Sequence, residues 1–226
     1  MIRAASALVV VAHPDDESFG LGAVIDGLAA AGTEVRVLCL THGEASTLGA
    51  VADLGKAREA ELGCAAVCLG LAEAALLDFP DGGLAAVPPE LLDAVVEGHV
   101  AGADVVVVFE PGGVTGHPDH RAATAAAERV ASRRGLAVLE WGVAPEVAEQ
   151  LNAELGTSFV GLEGVDVVVD RSSQRRAIGC HDSQARDNPV LALRLRLQGD
   201  LERIHLRAGD PRRSFGLPGA GLSPTT

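Results

Sequence analysis

The 226-residue sequence has no tyrosine, one tryptophan and five phenylalanines, and it is short of positive charge. Its 18 lysines and arginines face 31 acidic residues, giving a formal net charge of −13. A nucleic-acid groove or an anionic membrane patch needs clustered basic side chains, so neither partner is expected. Four cysteines (Cys39, Cys64, Cys68 and Cys180) are too few, and too apolar in context, for a disulfide scaffold. Cys64 and Cys68 stand in CxxxC spacing at an expected helix-to-strand junction, not in the CxxC spacing of zinc or redox sites. All four are expected as buried, reduced thiols. No apolar run is long enough to cross a membrane. The run Ala7–Ala12 is too short for the core of a signal peptide. A cytoplasmic protein is the default expectation, with homo-oligomer formation left open.

What the sequence does contain is apolar material, 48% of residues, in short runs separated by helical patterns. Strands are expected at 7–12, 34–41, 65–71, 104–111 and 135–141. Helices are expected between them near 21–28, 53–64, 88–101 and 119–134. Strands that are apolar along their whole length, alternating with helices, imply a mainly parallel sheet covered on both faces. The fold class is therefore α/β: Rossmann-like, doubly wound, in strand order 3-2-1-4-5. Residues 143–170 suggest a further strand or two, clearest at 164–170, and 172–206 reads as helical. One domain over 1–206 is expected, with 207–226, rich in Gly, Pro and Ser, as a frayed tail.

In such a sheet ligands bind beyond the carboxyl ends of the strands, where strand order reverses. "AHPDDE" (12–17) ends the first strand and "GHPDH" (116–120) follows the fourth, so the two motifs should meet across that crevice. His13, Asp16 and His120 supply two imidazoles and a carboxylate, the donor set of a catalytic zinc with one open position. Zinc brings its bound water to a pKa of roughly 7. Asp15, outside the ligand set, is placed to take a proton from that water. His117, protonated, is placed to stabilise an oxyanion and to supply a proton to a leaving amine. Asp119 is expected to orient His117 or raise its pKa. The parts add up to a metal-assisted hydrolase. Acids at a helix start are usually caps, but capping does not explain two histidines at ligand spacing.

With these motifs the sequence resembles the LmbE/PIG-L family of zinc-dependent deacetylases, which act on N-acetylglucosamine-type substrates. "THGE" (41–44), "RxxEL" (58–62), "FPDG" (79–82) and "HDSQ" (181–184) appear in the family's order, so the resemblance covers roughly residues 5–185. It implies the same roles: His13, Asp16 and His120 on zinc, Asp15 as general base, and His117 as the electrophilic or acid histidine held by Asp119. It also implies that Arg58 and Asp81 hydrogen-bond hydroxyls of a sugar or cyclitol. For Glu44, His181 and Gln184 a site-edge role and a structural role stay open. The absence of tyrosine departs from relatives that use one near the metal, so Thr115, a backbone amide or His117 alone would serve instead. The implied partner is a small N-acylated sugar or glycoconjugate.

Three alternatives are weighed. One is an amidase of a thiol conjugate or other small N-acyl compound. Another is a nucleotide-binding Rossmann module, for which "GLGAVI" (20–25) has two glycines of GxGxxG but Ile25 in place of the third. The last is a non-haem Fe2+ enzyme, since two histidines and a carboxylate also form a facial triad. The extra acid Asp15 suits hydrolysis better.

Overall fold

The computed structural model describes residues 4–48 and 52–209. Its sheet has seven strands, numbered along the chain β1 (Ser6–Val11), β2 (Glu34–Thr41), β3 (Glu73–Phe79), β4 (Val105–Phe109), β5 (Ala137–Gly142), β6 (Val165–Val168) and β7 (Leu201–Arg207). Their order is β3-β2-β1-β4-β5-β7-β6. The first five are parallel neighbours, in the expected sequence 3-2-1-4-5. β7 alone runs against them, pairing antiparallel with both β5 and β6.

Alternation along each central strand builds two cores. Val9, Val37, Val107 and Leu139 face one side, where α2 (Gly22–Ala30), α3 (Leu54–Leu69), α6 (Pro145–Leu155), α7 (Ser172–Cys180) and α9 (Pro189–Gln198) pack. Val10, Leu38, Val106 and Val138 face the other, under α4 (Pro89–His99) and α5 (Pro118–Arg134). Each fully buried Val or Leu contributes roughly 1.5–3 kcal/mol, which is why strands this apolar settle in the centre of the sheet. Four helices (α4, α5, α6 and α9) begin on a proline, a residue whose fixed φ suits that position and whose missing N–H costs nothing there.

Four sequence expectations are corrected. Residues 65–69 belong to α3, which runs to Leu69, and the third strand lies at Glu73–Phe79. A short apolar run such as AAVCL has no periodicity that separates strand from buried helix. Between residues 143 and 170 stands α6 as well as a strand. The region 172–206 is not all helix, because it closes with β7. The cysteines are not all reduced: Cys64 and Cys180 form a disulfide, with S–S 2.07 Å, between α3 and α7. With α3 extended, Cys64 and Cys68 fall at i, i+4 on one helical face, and Cys68 Sγ lies 3.8 Å from Cys180 Sγ. Cys39 is a buried free thiol, as expected. The tail expected at 207–226 lies largely outside the described residues.

Candidate metal centre

β1 and β4 are hydrogen-bonded neighbours, so the segments that leave their carboxyl ends emerge side by side. After β1 the chain turns sharply into the single turn α1 (Asp16–Phe19). Asp15 there has φ 133°, a conformation that glycine adopts readily and L-residues avoid. The turn lets Asp16 fold back on its own strand, where Oδ2 accepts from the N–H groups of His13 (2.9 Å) and Ala12 (3.1 Å). After β4 the loop 110–117 wraps the buried Glu110 carboxylate, which accepts from the N–H groups of Gly112 and Val114. That loop delivers His117 and then His120 on the first turn of α5.

The result is a triangle of donor atoms. His13 Nδ1 lies 3.3 Å from His120 Nε2, His120 Nε2 lies 3.1 Å from Asp16 Oδ1, and His13 Nδ1 lies 3.7 Å from Asp16 Oδ2. Zinc held by N and O at about 2.1 Å sets tetrahedral edges of about 3.4 Å; Asp16 turns Oδ1 towards His120 and Oδ2 towards His13, so two nitrogens and one carboxylate approach that spacing. The opposite ring nitrogens also have the partners that metal-binding histidines use. His13 Nε2 faces Asp81 Oδ1 at 3.0 Å and Asp119 Oδ2 at 3.5 Å, and His120 Nδ1 faces the Gly113 carbonyl at 3.2 Å. His117 belongs to the same cluster: a ring nitrogen from each of the three histidines falls within 4.8 Å of the others, and its ring centroid lies 4.8 Å from that of His120 and 4.9 Å from that of His13.

The electrostatics point the same way. Burial works against a charged His13, but hydrogen bonds to Asp119 and Asp81 and the charges of Asp16 and Asp15 outweigh it and push the ring up to about 10. So negative a pocket favours a cation. Asp15 is pushed up to about 6, chiefly by burial, with Arg58 pulling it down and Asp16 adding to the rise. His117 is held below its ordinary value by burial and by its two histidine neighbours.

The eight residues given a catalytic, metal or substrate role from sequence lie around this crevice, but three do so differently from expectation. Asp119 does not hydrogen-bond the His117 ring through its carboxylate. It is fully buried, accepts from Gly82 N–H (2.7 Å) and Leu84 N–H (3.0 Å), and faces His13 instead. Only its backbone N–H meets His117, donating to Nδ1 at 3.2 Å. Arg58 is buried rather than presented to a ligand. Its guanidinium donates to Asp15 Oδ2 (2.8 Å), Gly43 O (2.7 Å) and Pro14 O. Gly43 permits this approach, since a Cβ there would stand 2.2 Å from Arg58 Nη1. Asp81 holds His13 with one oxygen and accepts from Ala45 N–H with the other (2.8 Å). Both side chains are therefore already engaged with neighbours in the cluster, Arg58 with Asp15 and Asp81 with His13. Thr115 is exposed on the loop.

The structure adds residues that sequence reading missed. Glu17, fully buried, binds Asp15 N–H, Ser18 Oγ and His181 Nε2. Behind it, Gln174 donates to the Ser18 and Phe19 carbonyls, and Arg171 pairs with Glu202, which also accepts from Trp141. The motif residues left open resolve as ties: Glu44 accepts from Asp81 N–H, and Gln184 Oε1 accepts from Ser46 Oγ. Three adjacent acids where a metal and a base need two were the available signal for Glu17.

A family model described as GlcNAc-PI de-N-acetylase (PIG-L) matches residues 8–131. The chain is 38% identical over 161 residues to a 1D-myo-inositol 2-acetamido-2-deoxy-alpha-D-glucopyranoside deacetylase of Saccharomonospora viridis, covering 57% of this chain and 60% of that one. It spans 41% to 65% of the length of the first curated relatives it matches. The N,N'-diacetylchitobiose deacetylase of Pyrococcus horikoshii superposes with TM-score 0.66 at 21% identity, over 91% of this chain and 85% of that one. The 4-carboxy-2-hydroxymuconate hydratase of Pseudomonas putida KT2440 superposes with TM-score 0.60 at 18% identity, over 89% and 95%. Likenesses at this identity establish the fold, which carries more than one reaction.

Proposed function

The chain belongs to the GlcNAc-PI de-N-acetylase (PIG-L) family, and on that premise we propose that it is a zinc-dependent amide hydrolase removing an N-acyl group from an amino sugar or its glycoside. The observation that carries the reading is the donor triangle of His13 Nδ1, Asp16 and His120 Nε2, with edges of 3.1–3.7 Å, beside an aspartate lifted to about 6. The deacetylase names of the relatives support the same reaction class.

His13, Asp16 and His120 would hold the ion, a set that supplies a carboxylate beside two imidazoles; the three histidines His13, His117 and His120 form the competing set. Bound there, zinc acidifies water and polarises a carbonyl. Asp15 is the base: Arg58 holds Oδ2, leaving Oδ1 to take the proton of the attacking water. A carboxyl lifted towards neutrality also returns that proton to the leaving nitrogen. Of the two roles weighed for His117, electrophile or acid, a ring held below its ordinary value by burial and two histidine neighbours favours the electrophile. Its Nδ1 accepts from Asp119 N–H, so the ring's proton resides on Nε2, where it donates to the oxyanion that develops on the amide oxygen. Asp119 and Asp81 fix the face that His13 presents.

The test is acetate release from N-acetylglucosaminides by purified protein with its metal measured. About one zinc per chain and chelator-sensitive release are expected. Metal-independent release, or none from any N-acyl amino sugar, would overturn the reading.

A further inference from the structure

Aromatic side chains are scarce in this chain, yet they are not spread evenly. Three of the five phenylalanines and the one tryptophan line a single cavity of about 280 Å³. Phe19, Phe109, Trp141, Phe159, Val190 and Leu191 form its walls, and Asp16 and His120 form part of its lining. The wall is continuous with the metal centre: the Phe109 ring lies 5.0 Å from His120 and 5.4 Å from Trp141, centroid to centroid. Arg58, Asp81 and Glu44 are not part of it.

Two polar side chains in the lining, Asn188 and Arg194, are already committed. Asn188 Oδ1 accepts from Leu191 N–H and its Nδ2 donates to Gln184 O. Arg194 donates to Gln198 Oε1 and Phe19 O and stacks 5.3 Å from the Trp141 ring. A sugar placed here would leave its hydroxyls without partners, at a cost for each. An aliphatic chain needs none. A water-sized group occupies about 30 Å³ in a liquid, so the methyl of an acetyl group would fill a small part of the space.

We infer that this cavity takes the acyl chain of the substrate, and that the chain's preferred N-acyl group is several carbons longer than acetyl. The inference rests on the amide-hydrolase reading and adds the acyl group to it. Water adds to the acyl carbon and the C–N bond breaks. The products are a medium-chain carboxylic acid, left in the apolar cavity, and a free amino sugar on the polar side, its nitrogen taking the proton from Asp15.

The experiment measures kcat/KM of the zinc-loaded enzyme for methyl glucosaminides carrying N-acetyl, N-butyryl, N-hexanoyl and N-octanoyl groups. An N-acetyl series with methyl, hexyl and octyl aglycones runs beside it. The expected result is a rise of up to about fourfold per methylene along the acyl series, as burial of each CH2 allows, and little change along the aglycone series. Val190→Trp should lower the hexanoyl-to-acetyl ratio of kcat/KM, a ratio that partial misfolding leaves untouched. Hexanoate should inhibit more tightly than acetate. Acetyl turnover with falling rates for longer chains overturns the acyl-chain assignment while leaving the hydrolase standing. A gain confined to the aglycone series also overturns it, handing the cavity to the aglycone. No turnover of any N-acyl compound overturns the hydrolase reading itself.

Discussion

Glu17 and His181, 164 residues apart in sequence and both fully buried, meet at 2.7 Å between Oε1 and Nε2. The contact pins the turn that carries Asp15 and Asp16 to the segment that follows α7. Removing either partner strands the other in the core, which typically costs about 3–5 kcal/mol. Glu17→Ala and His181→Ala should each lower the urea midpoint accordingly, and the double variant should lose less than the sum. Additive losses would mean that the pair does not act as one unit.

The same pair makes stability depend on pH. Burial lowers the His181 pKa, but Glu17's charge and hydrogen bond outweigh it, so the net shift is upward from 6.5. A raised folded-state pKa means that the contribution is complete below 6.5 and is lost as pH climbs through the raised value. Unfolding free energy measured against pH should therefore fall on the alkaline side, and His181→Gln should flatten that part of the curve.

Asp15→Asn removes the proposed base without touching the donor triangle. The expected loss is about 10²–10⁴-fold in kcat with zinc content unchanged. Arg58 holds the Asp15 pKa down, so Arg58→Met should move the acid limb of kcat/KM to higher pH, while Arg58→Lys, which keeps the charge, should move it less. Identical pH profiles in all three proteins would remove Arg58 from the proposed chemistry.

Metal affinity separates the proposed ligands from their supports. Asp16→Asn or His120→Ala should abolish stoichiometric zinc after dialysis. Asp119→Asn, which changes a group behind His13, should weaken binding by about 10–100-fold. Equilibrium dialysis with elemental analysis reads both. Full zinc retention in Asp16→Asn would point to the three histidines as the ligand set.

The disulfide Cys64–Cys180 closes a loop of 116 residues. Denatured, non-reduced protein should titrate two thiols, Cys39 and Cys68, and reduction should raise the count to four. On the chain-entropy account a loop of this length is worth at most about 5 kcal/mol, so the melting temperature should drop when the protein is reduced.

The meeting of the two motifs was legible in the sequence because the geometry within each motif is local. His13 to Asp16 and His117 to His120 each span one turn, and apolar strands alternating with helices dictated which strands lie side by side. What was not legible depends on distant partners. Glu17 looked like one more acid at a helix start, since nothing near it announces His181. β7 went unread although LERIHLR alternates, because one of its inward residues is Glu202, whose burial is offset only by Arg171, Trp141 and Gln198. The disulfide was hidden by the misplaced third strand, which kept Cys64 and Cys68 off a common helical face.

The backbone of Asp15 sets strain beside activity at one position. An L-residue held at φ 133° costs on the order of 1–3 kcal/mol, and the side chain held there is the one proposed as base. Asp15→Gly should relieve the strain and abolish turnover, but it also strands the buried Arg58 guanidinium, so the melting temperature should not rise.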